Sequence, residues 1–212
     1  AALEAFRNIY TQAIGSGPVM DFLSQTGLDA LRGADILATV TQRYSSGIEY
    51  ASDPFARSMK GIAQVLQADV GTRIGYTQYG SFDAHTDGVA LHERLWRDVS
   101  AGIYDFYSDM KEHDATDDIL IFVFSEFGRR VRDNGNGTDH GSGGVAFVIG
   151  DAVQGGHYSE YPSLEANKLV EGDLAFNLDF RSLYTEILED WLEVDARPVV
   201  KGEYERVGFL KG

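Results

Sequence analysis

The chain has no cysteine among its 212 residues, so disulfides, thiolate metal ligands and a cysteine nucleophile are all excluded. Basic residues are scarce: 18 Lys and Arg stand against 33 Asp and Glu, for a formal net charge of -15. Without a basic stripe to displace counterions, binding to a nucleic-acid backbone is excluded as a main function. No apolar run approaches the roughly 20 residues that a membrane-spanning helix needs. Internal repeats, low-complexity tracts and a convincing linker are also missing, and the whole of 1–212 reads as one domain. No glycine pattern matches a P-loop or a dinucleotide fingerprint in its required context.

What is present is an ordinary globular composition, 43% hydrophobic and 12% aromatic, enough for a substantial core. The first residues, "AALEAFRNIY", already have helical character, with Leu3, Phe6, Ile9, Tyr10 and Ile14 at helical spacing. No Met and no signal peptide are seen there, which points to an upstream piece removed or left out. A second helix is expected over 18–43, with Gly27 and Gly33 as candidate breaks. Asp53 followed by Pro54 opens a third, striped by Phe55, Met59, Ile62, Ala63 and Leu66.

"GTRIGYTQYG" alternates as a strand does, and a long amphipathic helix is expected over about 88–113. "DDILIFVFS" reads as a central strand covered on both sides, "GVAFVIG" as a third strand, and "DFRSLYTEILEDWLEV" as a helix. Strand, helix, strand, polar loop, strand, helix is the order of an α/β layered domain.

Three polar turns next to these strands carry candidate chemistry. In "SFDAHTDG", Asp83 and His85 project to one side if the chain stays extended, because side-chain direction repeats every two residues. A carboxylate beside an imidazole is half of a site for Zn, Mn or Fe; the bland alternative is an Asx-turn with an exposed histidine. "SEFGRR" follows the apolar strand: Glu126 suits a metal ligand or general base, and Arg129 or Arg130 suits an anionic oxygen. Its alternative is a Glu–Arg surface pair of little worth. In "TDHG", His140 is a second candidate imidazole, with Asp139 either a ligand or the group that orients it. The intervening "VRDNGNG" reads as a flexible connector. His92 reads as a partly buried structural residue, His113 as solvated, and His157 as belonging to a loop that could border a pocket.

"GSFDAHTDG", the long helix and "SEFGRRVRDNGNGTDHGSGGVAFVIGDAVQGGHYSEYPSL" together resemble the bacterial family catalogued as domain of unknown function 1501. That family is placed in the alkaline phosphatase/sulfatase superfamily. The resemblance implies a three-layer α/β/α fold with a mostly parallel central sheet and a metal-bearing edge. It implies Asp83 and His85 as the first ligand pair and His140 as the later ligand. Glu126 and Phe127 stand where many relatives carry Asp and His, so a single-metal site replaces a two-metal one in this expectation.

The resemblance also implies a metal-dependent hydrolase of small anionic phosphate or sulfate esters, exported to the periplasm or beyond. The family's N-terminal strand, with the nucleophile and another acidic ligand, has no counterpart in "AALEAFRNIYTQAIGSGPVMDF". The chain is therefore expected to be a C-terminal portion, completed by an upstream segment or a partner chain. The absence of Cys also removes the usual sulfatase precursor of formylglycine. The competing expectation is a non-catalytic extracellular assembly or binding protein, whose many aromatics suit interfaces, including those of a homo-oligomer.

Overall fold

Four helices open the chain: α1 (Ala2–Ala13), α2 (Pro18–Arg43), α3 (Pro54–Gln67) and α4 (Gly88–Glu112). The computed structural model describes residues 2–86 and 88–211, and for Ala2, Leu3, Thr41, Gln42 and Arg43 the backbone alone. Leu3 of the expected α1 stripe therefore lies outside the described side chains. The remaining elements among the described residues are a 3-10 turn (Thr116–Asp118), β1 (Ile121–Val123), β2 (Gly128–Asp133), β3 (Thr138–Gly141), β4 (Phe147–Ile149), α5 (Phe180–Glu186), continued by a π-helical turn (Ile187–Trp191), and α6 (Arg197–Val200). The chain divides into two units: residues 1–78 with 99–113, and residues 79–98 with 114–212. Helix α4 contributes to both.

In the first unit, α2 runs unbroken through Gly27 and Gly33. Gly27 admits a close approach: a Cβ there would sit 2.6 Å from the Tyr10 ring of α1. The start of α3 is dictated locally, since Asp53 Oδ1 accepts hydrogen bonds from the Phe55 and Ala56 amides at 2.9 and 3.0 Å. Pro54 takes the first helical position, where a missing N–H costs nothing. Phe55, Met59 and Ala63 are buried as the stripe requires, and Phe106 and Met110 of α4 are buried in the same unit.

Beneath this apolar packing lies a polar cluster. Asp109 is fully buried, and its Oδ2 accepts hydrogen bonds from the Tyr44 and Tyr50 hydroxyls, the latter at 2.6 Å. Burial and this carboxylate push the Tyr44 hydroxyl up to about 12 and raise Tyr50 further. His113, expected to be solvated, instead faces the Asp109 carbonyl through Nδ1 at 2.8 Å and the Ser45 carbonyl through Nε2 at 3.0 Å. Two carbonyl acceptors require two ring N–H groups, so this geometry suits the imidazolium.

The α/β expectation fails in the second unit. The chain is 45% helical, and its described residues hold two small antiparallel two-stranded sheets, with no mostly parallel central sheet and no three-layer α/β/α arrangement among them. β1 pairs with β4 from Ile121↔Ile149 to Val123↔Phe147, and β2 pairs with β3 around a register shift. The reason lies in the connection. Parallel neighbours need a long crossover, usually helical. Between β1 and β4 there is no helix, only the polar segment folded into the β2–β3 hairpin, and the chain returns antiparallel.

Residues 72–80 of the first expected strand form no ladder, and Ile74 and Tyr76 are 70% and 73% exposed. Alternation supplies the side-chain pattern of a strand but not a partner for its backbone. "VRDNGNG" is likewise no loose connector: it completes β2 and turns into β3, with Asn134 N–H donating to the Gly137 carbonyl at 2.9 Å.

The second unit also contains a buried carboxylate that periodicity did not single out. Glu186, 1% exposed at the end of α5, accepts from the amides of Val207 and Gly208 through Oε2 and of Leu210 through Oε1. One charged residue thereby holds the C-terminal tail, with Phe209 buried beside it.

Candidate functional site

The site is built where the segment before α4 meets the β2–β3 hairpin, both within the second unit. The Ala84 amide donates to the Phe82 carbonyl at 2.9 Å, closing a three-residue turn around Asp83. The Phe82 ring packs against His92 and Trp96 of α4, at centroid separations of 5.6 and 5.3 Å. His92 also faces the Phe82 carbonyl at 3.2 Å, so it acts as a structural residue that fixes this turn. On the hairpin, Gly137 lets the turn approach the other segment closely, since a Cβ there would lie 2.6 Å from the His85 carbonyl oxygen.

Asp83, His85 and His140 converge. Asp83 Oδ1 lies 3.0 Å from His85 Nε2 and 2.6 Å from His140 Nε2. One ligand atom from each lies within 4.8 Å of the others, and all three residues are exposed. Asp139 is in a supporting position rather than among these three: its Oδ1 faces His85 Nδ1 at 3.1 Å and accepts from Asn134 Nδ2 at 3.0 Å. That contact turns His85 Nε2 toward Asp83. Asn134 was not singled out from the sequence, because only the turn that returns it to Asp139 gives it a role.

The electrostatics follow the contacts. The His140 hydrogen bond holds the Asp83 carboxyl below its ordinary range, against an opposing effect of desolvation. Asp139 is lowered first by Asn134 and then by His85. Both are ionised at neutral pH and present carboxylate lone pairs.

The other expected residues are placed differently. Arg129 Nη1 donates to the Thr138 carbonyl and Nη2 to the Phe82 carbonyl, each at 2.6 Å. Arg130 Nε donates to the His140 carbonyl at 3.2 Å, and its Nη1 lies 3.5 Å from Asp173. Glu126 is exposed, stands outside the three-residue cluster, and makes no hydrogen bond or ion pair among the described residues. Its neighbour Phe127 stacks face to face on His140, with centroids 4.0 Å apart and planes 3° from parallel. His157 is exposed in its loop.

The motif turns thus meet, although not across parallel strand ends. Hairpin register places Arg129 opposite His140, and the Asp83–His85 turn lies against that hairpin. A model of the family described as protein of unknown function (DUF1501) matches residues 33–201. The chain belongs to that family. The DUF1501 match takes in every residue of the cluster and its supports, whereas α1 precedes it. Searches of curated proteins and of solved structures find no match.

The donor set fits a divalent ion of the Zn, Mn or Fe kind. Tetrahedral donors on metal bonds of about 2.0–2.2 Å stand roughly 3.3–3.6 Å apart, so the 3.0 and 2.6 Å hydrogen-bond spacings around Asp83 Oδ1 must open by a few tenths of an ångström or more to admit an ion. Two imidazoles and one carboxylate, exposed on one side, leave coordination positions open for water or substrate.

Proposed function

We propose that the chain is an exported hydrolase of phosphate or sulfate esters that uses one divalent metal ion. This is the activity that the superfamily placement expected from the sequence would imply. The observation that carries the reading is the meeting of Asp83 Oδ1 with the Nε2 atoms of His85 and His140. Function belongs to such a site rather than to the architecture around it.

When bound, the ion supplies Lewis acidity toward an ester oxygen and acidifies water. Asp83 supplies the charged ligand, and Asp139 holds His85 in the tautomer whose Nε2 lone pair is free. Arg130, with Nη2 making no hydrogen bond among the described residues, is the arginine left to face an anionic oxygen. Glu126, next in sequence to the ring that covers His140, is the candidate general base.

A second reading has its own observation. Both terminal nitrogens of Arg129 are turned to backbone carbonyls, which weakens one of the two arginines expected for the anion grip. On this reading the metal fastens the Asp83 turn to the hairpin in a binding or assembly protein.

Zn²⁺ or Mn²⁺ added to chelator-treated protein, with an aryl phosphate and an aryl sulfate as substrates, separates the two. Metal-dependent turnover lost in Glu126→Ala, with metal affinity retained, supports the hydrolase. Tight metal uptake with no turnover of either ester favours the fastener, and no uptake at all overturns both. The location is checked by fractionating the producing cells.

A further inference from the structure

We infer that Arg129 and Phe127 are the positioning residues of the Asp83–His85–His140 cluster, a role that rests on reading the cluster as a metal site. Arg129 spans the two segments that carry the ligands. Its Nη2 holds the carbonyl of Phe82, one residue before Asp83, and its Nη1 holds the carbonyl of Thr138, two residues before His140. A planar guanidinium offers two such donors in a fixed fork, which a lysine ammonium cannot reproduce.

The same group also acts through a ring. The Arg129 guanidinium carbon lies 5.1 Å from the centre of the Phe127 ring, and the other partner in that ring's stack is His140. His140 in turn stacks against His85 with centroids 5.0 Å apart. Arg129, Phe127, His140 and His85 therefore form one pile, in which a cation on an aromatic face sets the plane of the first imidazole and the imidazoles set each other.

The pile explains two features together. Phe127 offers no ligand atom of its own but supplies a flat wall that fixes His140. Arg129, whose residue type suggests an anion grip, turns one N–H of each terminal nitrogen to a backbone carbonyl instead. Its chemistry is spent on holding the ligands at their spacing before any ion arrives, and supports of this kind are worth about 10–100-fold in metal affinity.

The test pairs a metal-free measurement with a metal-binding one. In metal-free protein, nuclear Overhauser contacts between the Phe127 and His140 rings report the pile directly. Co²⁺ titration, read by affinity and by the visible ligand-field spectrum, reports the ligand spacing. Arg129→Gln is expected to lose the ring contacts, weaken Co²⁺ binding by about 10–100-fold and shift the spectrum, while keeping its circular dichroism. Arg129→Lys should behave the same way.

Phe127→Leu, which leaves the Arg129 hydrogen bonds in place, should weaken Co²⁺ binding by about tenfold, and Phe127→Tyr should restore it. These two variants decide the matter if Arg129→Gln fails to fold. Retained ring contacts with unchanged affinity and spectrum in Arg129→Gln, or wild-type affinity in Phe127→Leu, overturn the inference. If the wild type takes up no Co²⁺, the metal reading falls, and retention or loss of the ring contacts in Arg129→Gln still decides whether Arg129 positions the cluster.

Discussion

Each unit of the chain holds an Asp–His cluster, and the same side-chain chemistry serves opposite ends in the two. In the first unit Asp109 is fully buried, and the Tyr44 and Tyr50 hydroxyls and the His113 ring close around it. In the second, the Asp83 and His85 side chains remain 61% and 49% exposed, and their donor atoms converge on one another. Burial makes the first cluster a fastening, because an unpartnered carboxylate there is costly. Exposure makes the second poor in stability and open to a ligand. Residue type therefore does not tell a site from a strut; solvent access and the direction of the lone pairs do.

The largest expected effect tests the buried cluster. Asp109→Ala strips two tyrosine hydroxyls of their acceptor and His113 of its ion pair at 3.2 Å, leaving His113 only its two backbone carbonyls. It should cost about 3–5 kcal/mol, the range for breaking a buried ionic network. Urea denaturation measures it. Asp83→Ala should leave the unfolding midpoint nearly where it was, and a comparable loss in both variants would erase the contrast.

Metal comes next. At a Zn²⁺ concentration 100 times its Kd, binding should add about 2.7 kcal/mol to the wild type and nothing to Asp83→Ala, as read by thermal shift. Stabilisation that persists in Asp83→Ala would place the ion elsewhere.

A third variant asks whether burial alone makes a carboxylate structural. Glu186→Gln keeps the shape but loses the charge that three tail amides donate to, and about 2 kcal/mol should go with it. Proteolysis of the C-terminal tail gives an independent readout; a tail as resistant as the wild type's would deny Glu186 its role.

The smallest effect is a pH dependence. The carbonyl of Asp109 raises the pKa of His113 above its ordinary value, despite some desolvation. A raised histidine stabilises most below its unfolded value, about 6.5, and that contribution fades as pH rises through the higher folded value. The wild-type midpoint should therefore fall more than that of His113→Gln between about pH 6 and pH 8. For Asp83 and Asp139 the sign is reversed: their pKa values are lowered, so their contribution is present at neutral pH and lost on acidification. Parallel slopes for wild type and His113→Gln would remove His113 as the titrating group.

Much of the helical half was legible because its signals are local. Asp53-Pro54 specifies a helix start by reach within three residues, and the stripe from Phe55 to Ala63 needs only the helical period. The strands were less legible. The apolar run ending in Phe124 shows that a strand is favoured there, but parallel or antiparallel pairing depends on where the chain goes next. For the site, "DAH" and "TDHG" named the three residues that converge, but Asp139, read as a ligand or as the group that orients His140, instead faces His85. Arg129 was read by residue type as an anion grip, because no sequence pattern says that Phe82 and Thr138 bring their carbonyls to its two nitrogens.

The sequence by itself determined the helix starts, the acidic balance, the absence of thiol chemistry, and the motif residues of a DUF1501 member. Tertiary structure alone decided that those motifs meet on a hairpin rather than at the edge of a parallel sheet. It also decided that His113 is held between two carbonyls while His85 and His140 face a carboxylate in the open. Both decisions depend on contacts between residues far apart in the chain, and a local pattern of side chains carries no record of which distant backbone oxygen or ring it will meet.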